Sequence, residues 1–459
     1  MKKLLCALLT LVLALSAMAT LAVAESEGGE VRILANVTGG KDEEENLLWA
    51  QALSEATGLT VTVEKPASDY GNILMQKLSA GESYDLIYID ASQYANLVDQ
   101  GALTDITDYI AASEILSNNV PESEWEDLKV DGRIYAGFNK RELHILVNLN
   151  KTMLEAAGIN YQEIEPTLDG YYNVFKALRE ANPSEDFYPF NTILSENWDL
   201  QPWMASVGLK GGVVVDEADG KTYVPYATDA AAPVWDWFKK LYDEKLLDPA
   251  SFVDKTKDMR DKMGAASQKT AVDVDWAAWV GLHNANAAAG GVSTEDYEIV
   301  SLPGCQTPDG SYMLHKGNAS LFAIPVNATN VEGALKVLEY FATQEGGELL
   351  SLGIKDHDYT VAEDGTYTLT EIGASHAMDH GAPVPIYKDF VNPIGLNLGV
   401  EEALTYLEYA SIERIIPNES DYKQIVGKWA ISIVKGEVET LEGLANMRAE
   451  LVSMGICEK

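Results

Sequence analysis

The sequence predicts an α/β protein with more than one lobe, and three observations carry that prediction. Apolar β-type runs alternate with helical patterns between Val31 and Ile89, a second such series begins near Leu143, and no flexible linker separates the two. At 459 residues, 47% of them hydrophobic and 23% charged, the chain is long enough for two or three domains and apolar enough to fill their cores. A chain of that size without a linker is expected to join its lobes by several crossing strands.

The first 24 residues open with Lys2 and Lys3, run apolar from Leu4 to Val23 and end in Ala22-Val23-Ala24 before Glu25. That is the pattern of a secretory signal cleaved near Ala24, with an uncleaved anchor as the alternative because the run is close to spanning length. Cys6 stands too early for a lipid at the cleavage site, so no lipid anchor is expected. Val31 to Ala35 then reads as a strand, followed by a helix carrying Leu47, Ala50 and Leu53 on one face and closed by Gly58. Leu59 to Val63 is a β-branched run, Tyr70 to Ala80 a short helix, and Tyr84 to Ile89 a buried strand. This order means a parallel sheet covered by helices. Ligands of such sheets lie beyond the carboxyl ends of the strands, so Asn36, Val37 and Thr38, and the stretch from Asp90 to Tyr94, are placed for contact by topology alone. Trp49, one turn into the first helix, faces either that cleft or the core.

The second series runs from the apolar segment Leu143 to Leu149 through helical patterns at Met153 to Ala157 and Tyr171 to Ala181. Leu321 to Val326 is strand-like, and the helix after it carries Val331, Ala334, Leu335, Leu338, Phe341 and Ala342 on one stripe, the cleanest helical periodicity in the chain. Ile425, Trp429 and Ile433, then Leu441, Leu444 and Leu451, mark two amphipathic helices near the C-terminus.

A formal charge of −38 repels nucleic acid and anionic lipid, so neither is expected as a partner. Once the signal is removed two cysteines remain, Cys305 and Cys457, and two separate thiols are expected rather than a bridge. Hydrolase chemistry lacks its usual signatures. No G-x-S-x-G or H-E-x-x-H occurs, and Gly220-Lys221-Thr222 fails as a phosphate loop because Val215 stands where a glycine is required. With 71 acidic residues, a carboxylate pair alone carries no weight. His376 and His380 are four apart and Asp356-His357-Asp358 lies nearby, a spacing that suits zinc. With six histidines in all, solvated surface side chains remain the expected reading, and neither metal nor cofactor is expected.

Several segments stand out in order along the chain: Leu78-Ser79-Ala80-Gly81-Glu82 with Tyr84-Asp85-Leu86-Ile87, Gly101-Ala102-Leu103-Thr104-Asp105-Ile106, and Asp131-Gly132-Arg133-Ile134-Tyr135-Ala136-Gly137. Val147-Asn148-Leu149-Asn150-Lys151, Ala156-Ala157-Gly158-Ile159, Ala323-Ile324-Pro325, Leu352-Gly353-Ile354 and Glu363-Asp364-Gly365-Thr366-Tyr367 follow. Together they resemble the extracellular solute-binding proteins of ABC importers, family 1, and especially their oligosaccharide-binding lipoprotein-like subgroup. The resemblance implies a two-lobed periplasmic-binding-protein-like fold of type II, with discontinuous lobes joined by crossing hinge strands. Mapped here, residues 25–139 plus 324–385 form the N-terminal lobe and 140–323 plus 386–459 the C-terminal lobe, after the signal at 1–24. It implies capture of a small solute, an oligosaccharide above all, for delivery to an ABC permease in the membrane, by a monomer that is not an enzyme. A peptide, polyamine or metal ion is the alternative solute. Ala181 to Phe187 lacks the ligand alternation and the glycine of the calcium loop that some members carry, so no structural calcium is expected there.

A sugar offers apolar C–H faces ringed by hydroxyls, so its cleft needs aromatic platforms and short polar or carboxylate groups. The chain holds 9 Trp and 22 Tyr against 9 Phe, an excess of aromatics with polar tips. Trp276, directly after the strand-like run Val272-Asp273-Val274-Asp275, is the first candidate platform, with Trp279 behind it. Trp198 and Glu196 in Ser195-Glu196-Asn197-Trp198-Asp199 resemble another ligand-facing turn of the family. Asp90, Tyr94, Asn36, Asn139 at the presumed hinge, and Trp49 complete the candidate set, each weighed against ordinary packing. Lys140 and Arg141 could meet a uronate but are expected to be a solvated strand end, while Trp203, Trp235 and Trp237 are expected in the core.

Overall fold

The protein is described here from a computed structural model covering residues 29–36, 43–195, 197–317, 320–376 and 384–459. Eight strands build two principal sheets: β1 (Glu30–Leu34), β2 (Thr60–Glu64), β3 (Leu86–Ile89), β4 (Ala136–Phe138), β5 (Ile145–Asn150), β6 (Val272–Trp276), β7 (Ile299–Leu302) and β8 (Leu321–Ala323). The first sheet has the order β2-β1-β3-β8-β4. β1 runs parallel to β2 and β3, as the strand and helix alternation requires, whereas β8 inserts antiparallel between β3 and β4. A strand some two hundred residues later in sequence therefore completes the first sheet, so this lobe is made of discontinuous chain.

Helix α1 (Glu43–Thr57) packs on this sheet through Asn46, Trp49, Ala50, Leu53 and Thr57. Of the expected stripe, Ala50 and Leu53 are buried, but Leu47 is 64% exposed and Trp49 fills the core in its place. A Trp contributes more apolar area than a Leu, and burying it outweighs leaving the leucine in water. Gly58 ends the helix with φ +68, a left-handed cap that favours glycine. Two short helices follow on the same lobe, α2 (Tyr70–Ser79) and α3 (Ala91–Asp99).

The second sheet has the order β6-β5-β7, with both outer strands antiparallel to β5. Ile145, Val147 and Leu149 point into a core rich in rings, among them Tyr171, Phe175, Phe190, Trp203, Trp235, Trp237 and Phe238, while Leu146 faces a smaller cluster with Met263, Val280 and Ile299. Cys305 and Cys457 are buried and unbridged. The two C-terminal helices are α4 (Glu419–Val434) and α5 (Thr440–Ser453). Ile425, Ile433, Leu444 and Leu451 are buried as their spacing predicts, but Leu441, in the first turn of α5, is 58% exposed.

Three stretches link the two cores. Residues 139–144 run beside 315–317 and Ser320, with Asn139 N donating to Ser320 O at 3.0 Å and Gly317 N to Leu143 O at 2.9 Å. The third lies at residues 411–416: Lys316 N donates to Ser411 O at 3.0 Å, Ile415 packs against the first core and its neighbour Ile416 against the second.

Candidate functional site

A cavity of about 560 Å3 opens where the first sheet's carboxyl edge meets the end of β6. Asp90, Ala91 and Ser92 line it from the start of α3, and Glu142, Trp276, His315, Gly317, Glu413, Glu419, Ser420 and Lys423 line the opposite side. Elements from both cores and all three linking stretches converge on it.

Asp90 is the residue after β3, and its carboxylate caps α3 by accepting from Gln93 N at 2.7 Å while Gln93 Oε1 accepts from Asp90 N. This turn is what topology predicts to meet a ligand. Trp276 is the last residue of β6, and its backbone N–H donates to Asp275 Oδ1 at 2.8 Å. Asp275 in turn takes a bidentate pair from Arg260, at 2.6 and 2.7 Å, so the strand end that presents the indole is tied down from behind. The half-buried Trp276 ring lies 5.9 Å from the His315 ring at 52°. A side chain at Gly317 would place its Cβ 3.1 Å from Trp276 Cζ3, so the glycine leaves the indole its room.

Four carboxylates line the same cavity, and their environments differ. Glu419 pairs with Lys423 at 2.7 Å and Glu142 with Lys140 at 3.5 Å. Burial pushes the Glu142 carboxyl above the usual range. Glu413 lies flat on the Gly211-Gly212 backbone, so close that a Cβ at Gly211 would stand 2.3 Å from its Oε1. Burial, reinforced by Glu419, raises Glu413 to about 7 despite the opposing Lys423 and Lys210. Burial also lowers His315 to about 3, with Lys423 and Lys210 acting in the same direction, so the imidazole is neutral and its 3.6 Å approach to Glu413 is not an ion pair.

Of the residues singled out from sequence, the cavity unites Trp276 and Asp90. Trp279 is turned away: its ring lies under the Arg260 guanidinium, 3.6 Å from ring centre to Cζ, in a separate hollow shared with His283. Tyr94 is fully buried, its hydroxyl donating to Leu128 O at 2.8 Å and accepting from Tyr135 N at 3.2 Å, which staples α3 to the strand beneath. Trp49 is equally buried, 6.2 Å from the Phe341 ring. For Trp49 and Tyr94 the packing reading replaces the ligand reading, because no face of either ring is open. Asn139 is buried in the linking stretch, its Oδ1 without a partner among the described residues, and Asn36 is exposed just after β1. Glu196, Val37, Thr38 and His380 lie outside the described residues, as does the side chain of Trp198, whose backbone belongs to the short turn Asn197–Leu200. Among the described residues no three His, Cys, Asp or Glu side chains come together as a metal site, and no helix is long and apolar enough to cross a membrane.

Sequence reasoning missed Glu142, His315, Glu413, Glu419 and Lys423. Glu142 and His315 lie in the linking stretches, Glu142 directly after the Lys140-Arg141 pair that the sequence does single out. Those two cations are in fact tied to Glu142 and Glu124. Glu413, Glu419 and Lys423 carry no local signal, being three ordinary charged residues in an acidic chain.

The model of the family described as bacterial extracellular solute-binding protein matches residues 40–348. None of the curated proteins compared with the chain matches it. Among solved structures, the chain is similar to the sugar-binding protein MalE from the phytopathogen Xanthomonas citri, at 14% identity over 93% of this chain and 97% of that one, with a TM-score of 0.68. It is similar to an alginate-binding protein solved without calcium ion, at 14% identity over 94% and 95% of the two chains and a TM-score of 0.67. An ABC substrate-binding protein from Listeria monocytogenes in complex with cycloalternan gives 13% identity over 94% and 100%, with a TM-score of 0.66. These likenesses establish the two-lobed α/β fold.

Proposed function

This chain belongs to the bacterial extracellular solute-binding proteins, and on that premise we propose that it captures a carbohydrate in the cavity between its lobes and delivers it to an ABC permease. The observation that carries this reading is the setting of Trp276: an indole on the cavity wall, held at a strand end, in a cavity also lined by carboxylates able to accept hydrogen bonds from hydroxyls. Solved relatives whose names record sugar ligands support the choice of solute class. The lobes are taken as residues 25–139 plus 324–385 and 140–323 plus 386–459, closing about the three linking stretches when solute contacts both. No covalent step is assigned to any residue. The protein acts as a monomer outside the cytoplasmic membrane, and family membership supports that location.

Intrinsic fluorescence titration of the mature chain against neutral sugars, uronates, peptides and polyamines tests the reading. A saccharide is expected to quench Trp276, and Trp276→Ala to lose about 2 kcal/mol, or thirty-fold in affinity, with the fold intact. Unaltered saccharide binding by Trp276→Ala would remove the platform from the site. Binding of peptide alone would remove the sugar.

A further inference from the structure

Resting on the reading that this cavity takes a carbohydrate, we infer that its solute is an aminated saccharide, whose protonated nitrogen sits against Glu413. Three of the four lining carboxylates already have donors: Asp90 holds the N-terminus of α3, Glu142 has Lys140 and Glu419 has Lys423. Glu413 is different. Its side chain is 9% exposed, it opens onto the cavity, and no hydrogen bond reaches it among the described residues. The groups around it offer no compensation: His315 is 3.6 Å away and neutral, Glu419 repels it, Lys423 is engaged by Glu419, Lys210 acts only at a distance, and the buried Tyr226 and Tyr422 add no positive charge. Gly211 and Gly212 let the carboxylate settle on the backbone, a placement any side chain would prevent.

Closing a cleft over such a group leaves a buried acid without a donor, which costs more than the surrounding contacts return unless the solute brings one. A hydroxyl supplies a neutral hydrogen bond. An ammonium supplies a charge-assisted one and cancels the excess negative charge of the lining, so it is the better complement. The Trp276 face beside it favours a sugar ring over a linear amine.

The test is calorimetric titration of the mature protein, at pH 7, where Glu413 is substantially ionised, with glucosamine oligomers and with their N-acetylated counterparts of equal length, which differ only in carrying neutral amides. The expected result is binding of the amine series at least tenfold tighter than the acetylated series, and loss of that preference in Glu413→Gln while it still unfolds in one cooperative transition. Equal or tighter binding of the acetylated oligomers, or of neutral glucose oligomers, would overturn the inference and leave the carbohydrate reading standing. Binding of spermidine with no saccharide bound would overturn both. If Glu413→Gln fails to fold, retention of the amine preference in Gly211→Ala, where the carboxylate must move, overturns it as well.

Discussion

The two sheets bury opposite chemistries. Strands β1, β3 and β8 carry apolar side chains throughout their buried positions, from Val31, Ile33 and Leu34 to Leu86, Ile87, Ile89 and Leu321 to Ala323. A polar group, Asp85, stands only at the margin, where it accepts from Arg32 N, Thr329 N and Asn330 N. The second sheet carries a polar row through its middle: Asn148 donates to Asp273 at 3.0 Å on one side and accepts from Ser301 at 2.7 Å on the other, all three buried. Two residues on from Asp273, Asp275 meets Arg260, and the next residue is Trp276. Burial, aided by Asp275, pushes the Asp273 carboxyl well above the usual range.

The difference teaches how each lobe holds its place. A greasy strand can slip in register with modest loss, but a slip of one residue in β5 would strand three buried polar groups. The polar row therefore sets the register of β6, and register decides that Trp276 rather than Asp275 reaches the cavity. The first lobe contributes backbone ends, chiefly the Asp90 turn. The second contributes the side chains.

The largest effect expected from this contrast is on stability alone. Trp49→Ala opens a cavity in the first core and should cost about 3–5 kcal/mol in urea unfolding while leaving the affinity of the folded protein for its solute unchanged. A loss of affinity at full stability would place Trp49 in the cleft and break the contrast. Asp275→Ala leaves the Arg260 guanidinium without its buried partner and should cost about 3 kcal/mol, together with weakened solute quenching as the Trp276 strand end loosens. Undiminished quenching in that variant would uncouple the polar row from the site.

A smaller effect is carried by Glu413 and shows in pH dependence. Its folded-state carboxyl is raised to about 7, so the folded chain holds a proton that the unfolded chain has already released. Its contribution is fully present below the ordinary carboxylate range and is lost as pH rises from there through about 7, with an amplitude on the order of 3 kcal/mol. The difference in unfolding free energy between the protein and Glu413→Gln, followed from pH 4 to pH 8, should show that loss. A flat difference would mean that Glu413 titrates alike in the folded and the unfolded chain.

Much of the first lobe was legible because its signals are local. The β-branched run at Val61 to Val63, the cap at Gly58 and the Asp90 turn after β3 each follow from a few neighbouring residues. Trp276 was legible as the end of a strand beside two acids. Leu47 and Leu441 misled because helical spacing gives a stripe but not its edges, and the edges were settled by what Trp49 and Leu444 could bury. Tyr94 and Trp49 misled because a ring near a cleft and a ring beneath it look alike in sequence.

What the sequence by itself determined is the set of elements, the α/β class and the turns at which a ligand could lie, since dihedral preference and hydrophobic period act over a few residues. Tertiary structure alone decided which charges meet. Glu413, Glu142 and Asp90 come from three distant segments, and they share a cavity only because β8 returns to the first sheet and residues 411–416 run back between the two cores. Electrostatic environment depends on distances through space and on exclusion of water, neither of which leaves a periodic trace along the chain.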